Sequence, residues 1–214
     1  CIRDRLSSRG YLSRESLPSG EYEALLLWCT SGLLLLVRSG ELLTLFLALE
    51  LLSLALYAMA AFHRRIAWSS ESAIKYFLMG AFVSAFVLYG IALVFGQTGT
   101  TRLADVVAIA SRGVDSPALL VLGLLMLVTG FAFKMSLFPF HAWAPDVYQG
   151  APSPFVGFLS VAPKAASAFV LANLLVVAGD TVVAERWPSL VALLAVCSMA
   201  AGNLLALVQR DLKR

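Results

Sequence analysis

The feature that most constrains this chain is a series of apolar runs, each long enough to cross a lipid bilayer. A membrane helix needs roughly 20 consecutive apolar residues. Six candidate runs appear, at about 22–37, 42–62, 73–95, 117–143, 154–178 and 189–208. Hydrophobic residues make up 60% of the 214 residues and charged ones only 14%, with mean hydropathy +0.85. A soluble domain carries about 25% charged residues. The expected fold is an all-α polytopic membrane bundle of about six helices.

The first run is short. The fourth is longer than one crossing needs and contains Pro139. Proline lacks an N–H and clashes with the preceding turn, so this helix is expected to break near Lys134. Broken helices at membrane depth are where transporters build ion sites. Five of the eight prolines fall within 133–169, and Pro163, directly before Lys164, is expected to disturb the fifth helix. The stretch "APDVYQGAPSP" reads as a turn returning the chain to the bilayer. Between the third and fourth runs, Leu103, Val106, Val107 and Ala110 share one helical face, which fits an interfacial helix or an ordinary loop. Gly80 with Ser84 and Ala81 with Ala85, four apart, allow close helix approach.

With six crossings, one side holds Arg3, Arg5, Arg9, Arg14, Arg64, Arg65, Arg210, Lys213 and Arg214, and the other Arg38, Arg102, Arg112 and Arg186. The richer side is expected to be cytoplasmic or its equivalent. A net charge of +3 with no basic–aromatic patch gives no sign of nucleic-acid binding. Cys1, Cys29 and Cys197 are scattered, with no metal or dithiol spacing, and no G-x-G-x-x-G or P-loop is present. No cofactor or metal site is expected in this chain. The sequence opens on Cys1 and stops at "QRDLKR" after an apolar run, so it reads as an internal fragment.

Three of the sixteen cations fall inside the apolar runs, and all are lysines: Lys75, Lys134 and Lys164. Glu50 is the one acid well inside a run. A charge at the bilayer centre costs about 2.5–3.5 kcal/mol on insertion scales, so such residues face an interior or a cavity and have a partner. Arginine stays charged, whereas a desolvated lysine can release its proton. Glu50 with the lysines therefore fits a proton relay. Plainer readings exist for each residue. Glu50 suits a structural ion pair, Lys75 suits snorkelling to the interface, and His141 suits either an interface residue or a proton carrier. Ser53 and Tyr57 share Glu50's helix face.

Several segments carry a resemblance: "LALELLSLALYAMAAF" (47–62), "ESAIKYFLMGAFVSAFVLYGIAL" (71–93), "GNLLALVQRDLKR" (202–214), and above all "PFHAWAPDVYQGAPSP" followed by "FLSVAPK". From about Tyr11 to Arg214 the chain resembles the subunit N family of the proton-pumping NADH:quinone oxidoreductase, respiratory complex I. That family sits within a wider antiporter-like group that includes Mrp-type sodium/proton antiporter subunits.

The resemblance implies a fourteen-helix subunit with two inverted five-helix repeats. Residues 1–21 would be a cytoplasmic-side polar segment, 22–178 the first repeat, 189–208 a sixth helix and 209–214 the start of a loop. It implies a proton relay of Glu50, Lys75, Lys134, His141 and Lys164. Glu50 matches the glutamate of the repeat's second helix, and Lys134 the broken-helix lysine partnered with it. Lys164 matches the lysine that passes protons toward the centre, Lys75 a further lysine on the helix between, and His141 the broken-helix histidine. NADH, flavin, iron–sulfur clusters and quinone would belong to partner subunits. Partners would be other complex I membrane subunits, paralogous antiporter-like ones included, and membrane lipid. The location would be the bacterial plasma membrane or the mitochondrial inner membrane. Two departures stand out: Ala55 in "SLALY", often proline in the family, and Ala144 in "AWAPD", often polar. The first implies a weaker helix kink near Glu50. An Mrp-type antiporter subunit and a non-conducting structural module are the alternatives.

Overall fold

The computed structural model describes residues 2–179, 187–211 and 213. Cys1, Arg186 and Arg214 lie outside the described residues, as do the side chains of Arg3 and Arg5. The described chain is helical: α1 (Ile2–Arg14), α2 (Ser19–Arg38), α3 (Leu42–Ala60), α4 (Ala67–Thr98), α5 (Leu103–Ala110), α6 (Pro117–Met135), α7 (Trp143–Gly150), α8 (Ser153–Gly179) and α9 (Trp187–Val208). Six of these, α2, α3, α4, α6, α8 and α9, are long and apolar enough to cross a membrane.

Contacts between loops sort them into two ends. At one end, Leu42 N–H donates to Thr101 O (2.8 Å) and Leu103 N–H to Gly40 O (3.0 Å). At the other, His63 Nε2 lies 3.2 Å from Glu15 Oε2, and Lys213 Nζ donates to Ala151 O at 2.8 Å. The second end carries Arg14, Arg64, Arg65, Arg210 and Lys213, which fits the charge partition read from the sequence.

Close approach is built into α4 and α6. A Cβ on Gly90 would stand 2.8 Å from Gly123 O, and one on Gly123 would stand 2.9 Å from Gly90 O, so only glycine lets the two backbones meet there. Of the two small-residue pairs on α4, Gly80 and Ser84 face the bundle while Ala81 and Ala85 face outward. Helix α5 turns Val106 and Ala110 inward, with Leu103 and Val107 half-buried beside them, so the 103–110 stripe is a helix and not a loop. Helix α9 exposes apolar side chains along its length, Leu193, Val196, Met199 and Leu207 among them.

Several expectations are corrected. The third run begins at Ala67, six residues earlier than its apolar content suggests, because Trp68, Ser69, Ser70 and Glu71 continue the helix in polar form. The fourth run breaks at Ser136, before Pro139 is reached. Ser136 adopts a left-handed conformation (φ 58°), Leu137 N–H donates to Ala132 O (2.9 Å) and Ser136 N–H to Phe133 O (3.0 Å). That is a Schellman stop, which caps the last carbonyls of α6. The stretch read as a turn begins with a two-turn helix, α7. Pro145 sits in its first turn, where the missing N–H has no intrahelical role. Helix α8 continues past Pro163 to Gly179, so that proline does not end the helix. Helix α3 is likewise continuous through Ala55.

Candidate functional site

Lys134 is the last-turn residue of α6 and is 3% exposed. A cation in that position interacts favourably with the negative end of the helix dipole. Its ammonium donates to Ser53 Oγ at 2.7 Å and to Tyr57 OH at 3.4 Å. It also lies 5.2 Å from the centre of the Tyr57 ring, 5.6 Å from Tyr76 and 5.9 Å from Phe133. Aromatic faces stabilise a desolvated cation more than an exposed one.

The three aligned side chains on α3 divide the work. Glu50, Ser53 and Tyr57 lie at i, i+3 and i+7, on one helix face. Ser53 spends its own O–H on Leu49 O, so its lone pairs receive Lys134. It anchors the amine rather than handing a proton on. Half-buried Glu50 accepts the hydroxyl of Ser84 from α4. Glu50 thus shares a face of α3 with the two hydroxyls that hold Lys134, but among the described residues it does not form the direct ion pair expected. Among the described residues Lys134 makes no salt bridge, because hydroxyls from α3 occupy its ammonium. Ser84, legible in the sequence only as a small packing residue, is a missed partner of Glu50.

Gly80 leaves room for this arrangement. A Cβ there would stand 1.9 Å from Tyr57 OH. Tyr57 is held edge-on by Tyr76 (4.8 Å) and Phe77 (5.6 Å), which limits any retreat.

The protein around the broken segment 136–142 meets part of its hydrogen-bonding need, while Ser136 Oγ and His141 Nδ1 are buried without a partner among the described residues. Phe138 N–H donates to Ser198 Oγ of α9 at 2.9 Å, and Trp143 Nε1–H donates to Phe133 O at 3.0 Å. Irregular backbone survives at membrane depth only with such partners or beside water. His141 lies in this segment, its ring 5.5 Å from Phe138, and its Nδ1 is buried with no partner among the described residues.

An aromatic wall leads from Lys134 to Lys164. Tyr76 stacks on Trp143 (4.5 Å), Trp143 meets Tyr148 edge-on (6.5 Å), and Lys164 Nζ lies 5.4 Å from the Tyr148 ring. Lys164 is half-buried on α8. Tyr148 OH, and Ser167 Oγ one turn beyond Lys164, are buried without hydrogen-bond partners among the described residues. Tyr76, Trp143 and Tyr148 were not singled out from the sequence, where aromatics in apolar runs read as packing.

Lys75 stands apart. Its ammonium pairs with Glu71 Oε1 at 2.8 Å, one turn earlier on α4, and with Asp146 Oδ2 of α7 at 3.2 Å. Its side chain is 48% exposed. At 1.5 Å per residue, the 32 residues of α4 extend about 48 Å, against about 30 Å of hydrocarbon. The excess length accommodates a charged first section carrying Glu71 and Lys75.

A bundle of long apolar helices around a buried lysine at a helix break defines a polytopic membrane protein class. Residues 39–214 match the family described as NADH:quinone oxidoreductase/Mrp antiporter, TM, and the chain belongs to that family. Among curated proteins it is 44% identical to NADH-quinone oxidoreductase subunit N of Trichlorobacter lovleyi over 210 residues, covering 98% of this chain and 43% of that protein. It is 46% identical to subunit N of Moorella thermoacetica over 208 residues, covering 97% of this chain and 43% of that protein. The chain thus spans less than half the length of these relatives.

Among solved structures it is similar to a chain of respiratory complex I from Thermus thermophilus with bound aureothin. That similarity has 39% identity and TM-score 0.75, over 90% of this chain and 40% of that one. A chain of the membrane-bound sulfane sulfur reductase, an archaeal respiratory membrane complex, gives 30% identity and TM-score 0.82, over 92% of this chain and 40% of that one. A chain of the Mrp complex from Dietzia shares the fold at 20% identity and TM-score 0.64, over 70% of this chain and 28% of that one.

Proposed function

We propose that this chain is part of a proton-translocating membrane subunit of an NADH:quinone oxidoreductase. Protons move through Glu50, Lys134 and Lys164, with His141 beside the break, while electrons pass from NADH to quinone in partner subunits that hold the flavin and iron–sulfur clusters. The partners are other membrane subunits of that complex, paralogous antiporter-like ones included. The membrane is the bacterial plasma membrane or the mitochondrial inner membrane.

The observation that carries this reading is the setting of Lys134. A buried ammonium at a helix break is held by two hydroxyls of α3, on the helix face that also carries the Glu50 carboxylate. Among the described residues the ammonium is supported by hydroxyls and aromatic faces and not by an ion-pair partner. The partnerless His141 Nδ1, Tyr148 OH and Ser167 Oγ lie on the elements between Lys134 and Lys164 and beyond. Buried polar atoms of this kind call for water, which a proton route needs. Lys75, expected as a relay member, is assigned instead to holding α7 against α4, so that Trp143 and Tyr148 keep their places.

Glu50→Gln in the full-length subunit within the assembled complex is expected to reduce proton pumping by about tenfold or more. The measurement is NADH-driven acidification of closed vesicles. Sodium uptake in place of acidification would move the reading to the Mrp-type alternative. Pumping at the wild-type level would leave the structural module.

A further inference from the structure

A cavity of about 580 Å³ opens where the start of α2, the end of α3 and the first turn of α4 meet. Its volume falls within the roughly 300–1,000 Å³ of small-molecule sites. The inner wall is apolar, formed by Leu25, Ala58 and Phe62, while Arg64, Arg65 and Glu21 supply the charged lining. Both arginines are exposed, and neither is in an ion pair among the described residues. Helices α2 and α4 both begin here without a side-chain cap, which adds positive potential. Trp68, in the first turn of α4, is 64% exposed. An exposed tryptophan beside arginines at the end of a spanning helix marks the headgroup level of a bilayer.

We propose that this cavity binds one anionic glycerophospholipid. Its phosphate sits on Arg64 and Arg65, whose forked donors match phosphate oxygens. A headgroup hydroxyl donates to Glu21, and the start of an acyl chain lies on the Leu25–Ala58–Phe62 wall. A lipid fits better than a free phosphate ion, which would leave the apolar wall unused and face the Glu21 carboxylate directly. The cavity lies at the arginine-rich end of the bundle, where basic pockets between helices take lipid headgroups.

The test uses the full-length subunit in its assembled complex, reconstituted in phosphatidylcholine with or without phosphatidylglycerol. After mild detergent exchange, retained phosphatidylglycerol is counted by native mass spectrometry. The double variant Arg64→Gln/Arg65→Gln is expected to lose one phosphatidylglycerol relative to wild type. Leu25→Trp, which keeps both arginines but fills the cavity, is expected to lose the same one. Arg210→Gln, at the same end but outside the cavity, is expected to keep it, and excess inorganic phosphate is expected not to displace it. Equal phosphatidylglycerol counts in wild type and both cavity variants would overturn the proposal. So would displacement by inorganic phosphate, or equal retention of phosphatidylcholine in its place.

Discussion

Lys134 and Lys75 look alike in the sequence, two lysines in apolar company, and the structure treats them as opposites. Lys134 is 3% exposed, caps the end of a broken helix and is held by neutral hydroxyls and aromatic faces. Lys75 has a 48% exposed side chain and is neutralised by two carboxylates. The difference lies in the partners. A lysine paired with acids at the surface keeps its charge at little cost and clips two helices together. A lysine buried among hydroxyls carries a charge that is costly to bury and has no carboxylate to offset it. Only the second arrangement suits a relay.

The contrast can be broken at several points. After loss of Lys134 or Glu50 itself, the largest effect is expected at Gly80. Gly80→Ala places a methyl where Tyr57 OH stands, and overpacking of this kind costs about 1–3 kcal/mol. Vesicle pumping is expected to fall by about tenfold, with a lower unfolding temperature of the complex. Ser53→Ala removes the shorter of the two hydrogen bonds to Lys134. Bonds to charged groups are worth about 1.5–3 kcal/mol, so pumping is expected to fall about threefold to tenfold with assembly intact, read by the same assay.

Lys75→Gln should leave pumping within about twofold of wild type, because exposed ion pairs contribute little. Its effect on complex stability is expected to shrink further at high salt, which screens exposed charges. A tenfold pumping loss in Lys75→Gln would erase the distinction between the two lysines. The smallest effect is expected at Ser136→Gly. A non-glycine residue in the left-handed region costs about 1–2 kcal/mol, so this change is expected to raise thermal stability slightly and leave pumping unchanged.

Much of this was legible because membrane helices announce themselves by length and apolar content alone. The six candidate crossings follow from the runs, a break was expected near Lys134 on the strength of Pro139, and the stripe over 103–110 left helix and loop both open. The exact stop at Ser136 was hidden, since nothing in a serine signals a left-handed cap. The start of α4 was hidden because its first section is polar and still helical. Glu50, Lys134 and Lys164 stood out as charges in apolar runs. Ser84, Tyr148 and Asp146 did not, because a hydroxyl, a ring or a loop carboxylate gains its meaning only from what lies across from it. The continuation of α8 past Pro163 shows the limit of reading prolines singly. In this long helix flanked by packed neighbours, one proline does not end the helix.

The most direct test of the relay is Lys134→Ala beside Lys75→Gln in one set of closed vesicles carrying the full-length subunit in its assembled complex. Protons moved per NADH oxidised would be measured for each. The account predicts a large loss for Lys134→Ala, about tenfold or more, and near wild-type pumping for Lys75→Gln. Wild-type pumping in an assembled Lys134→Ala complex would contradict it.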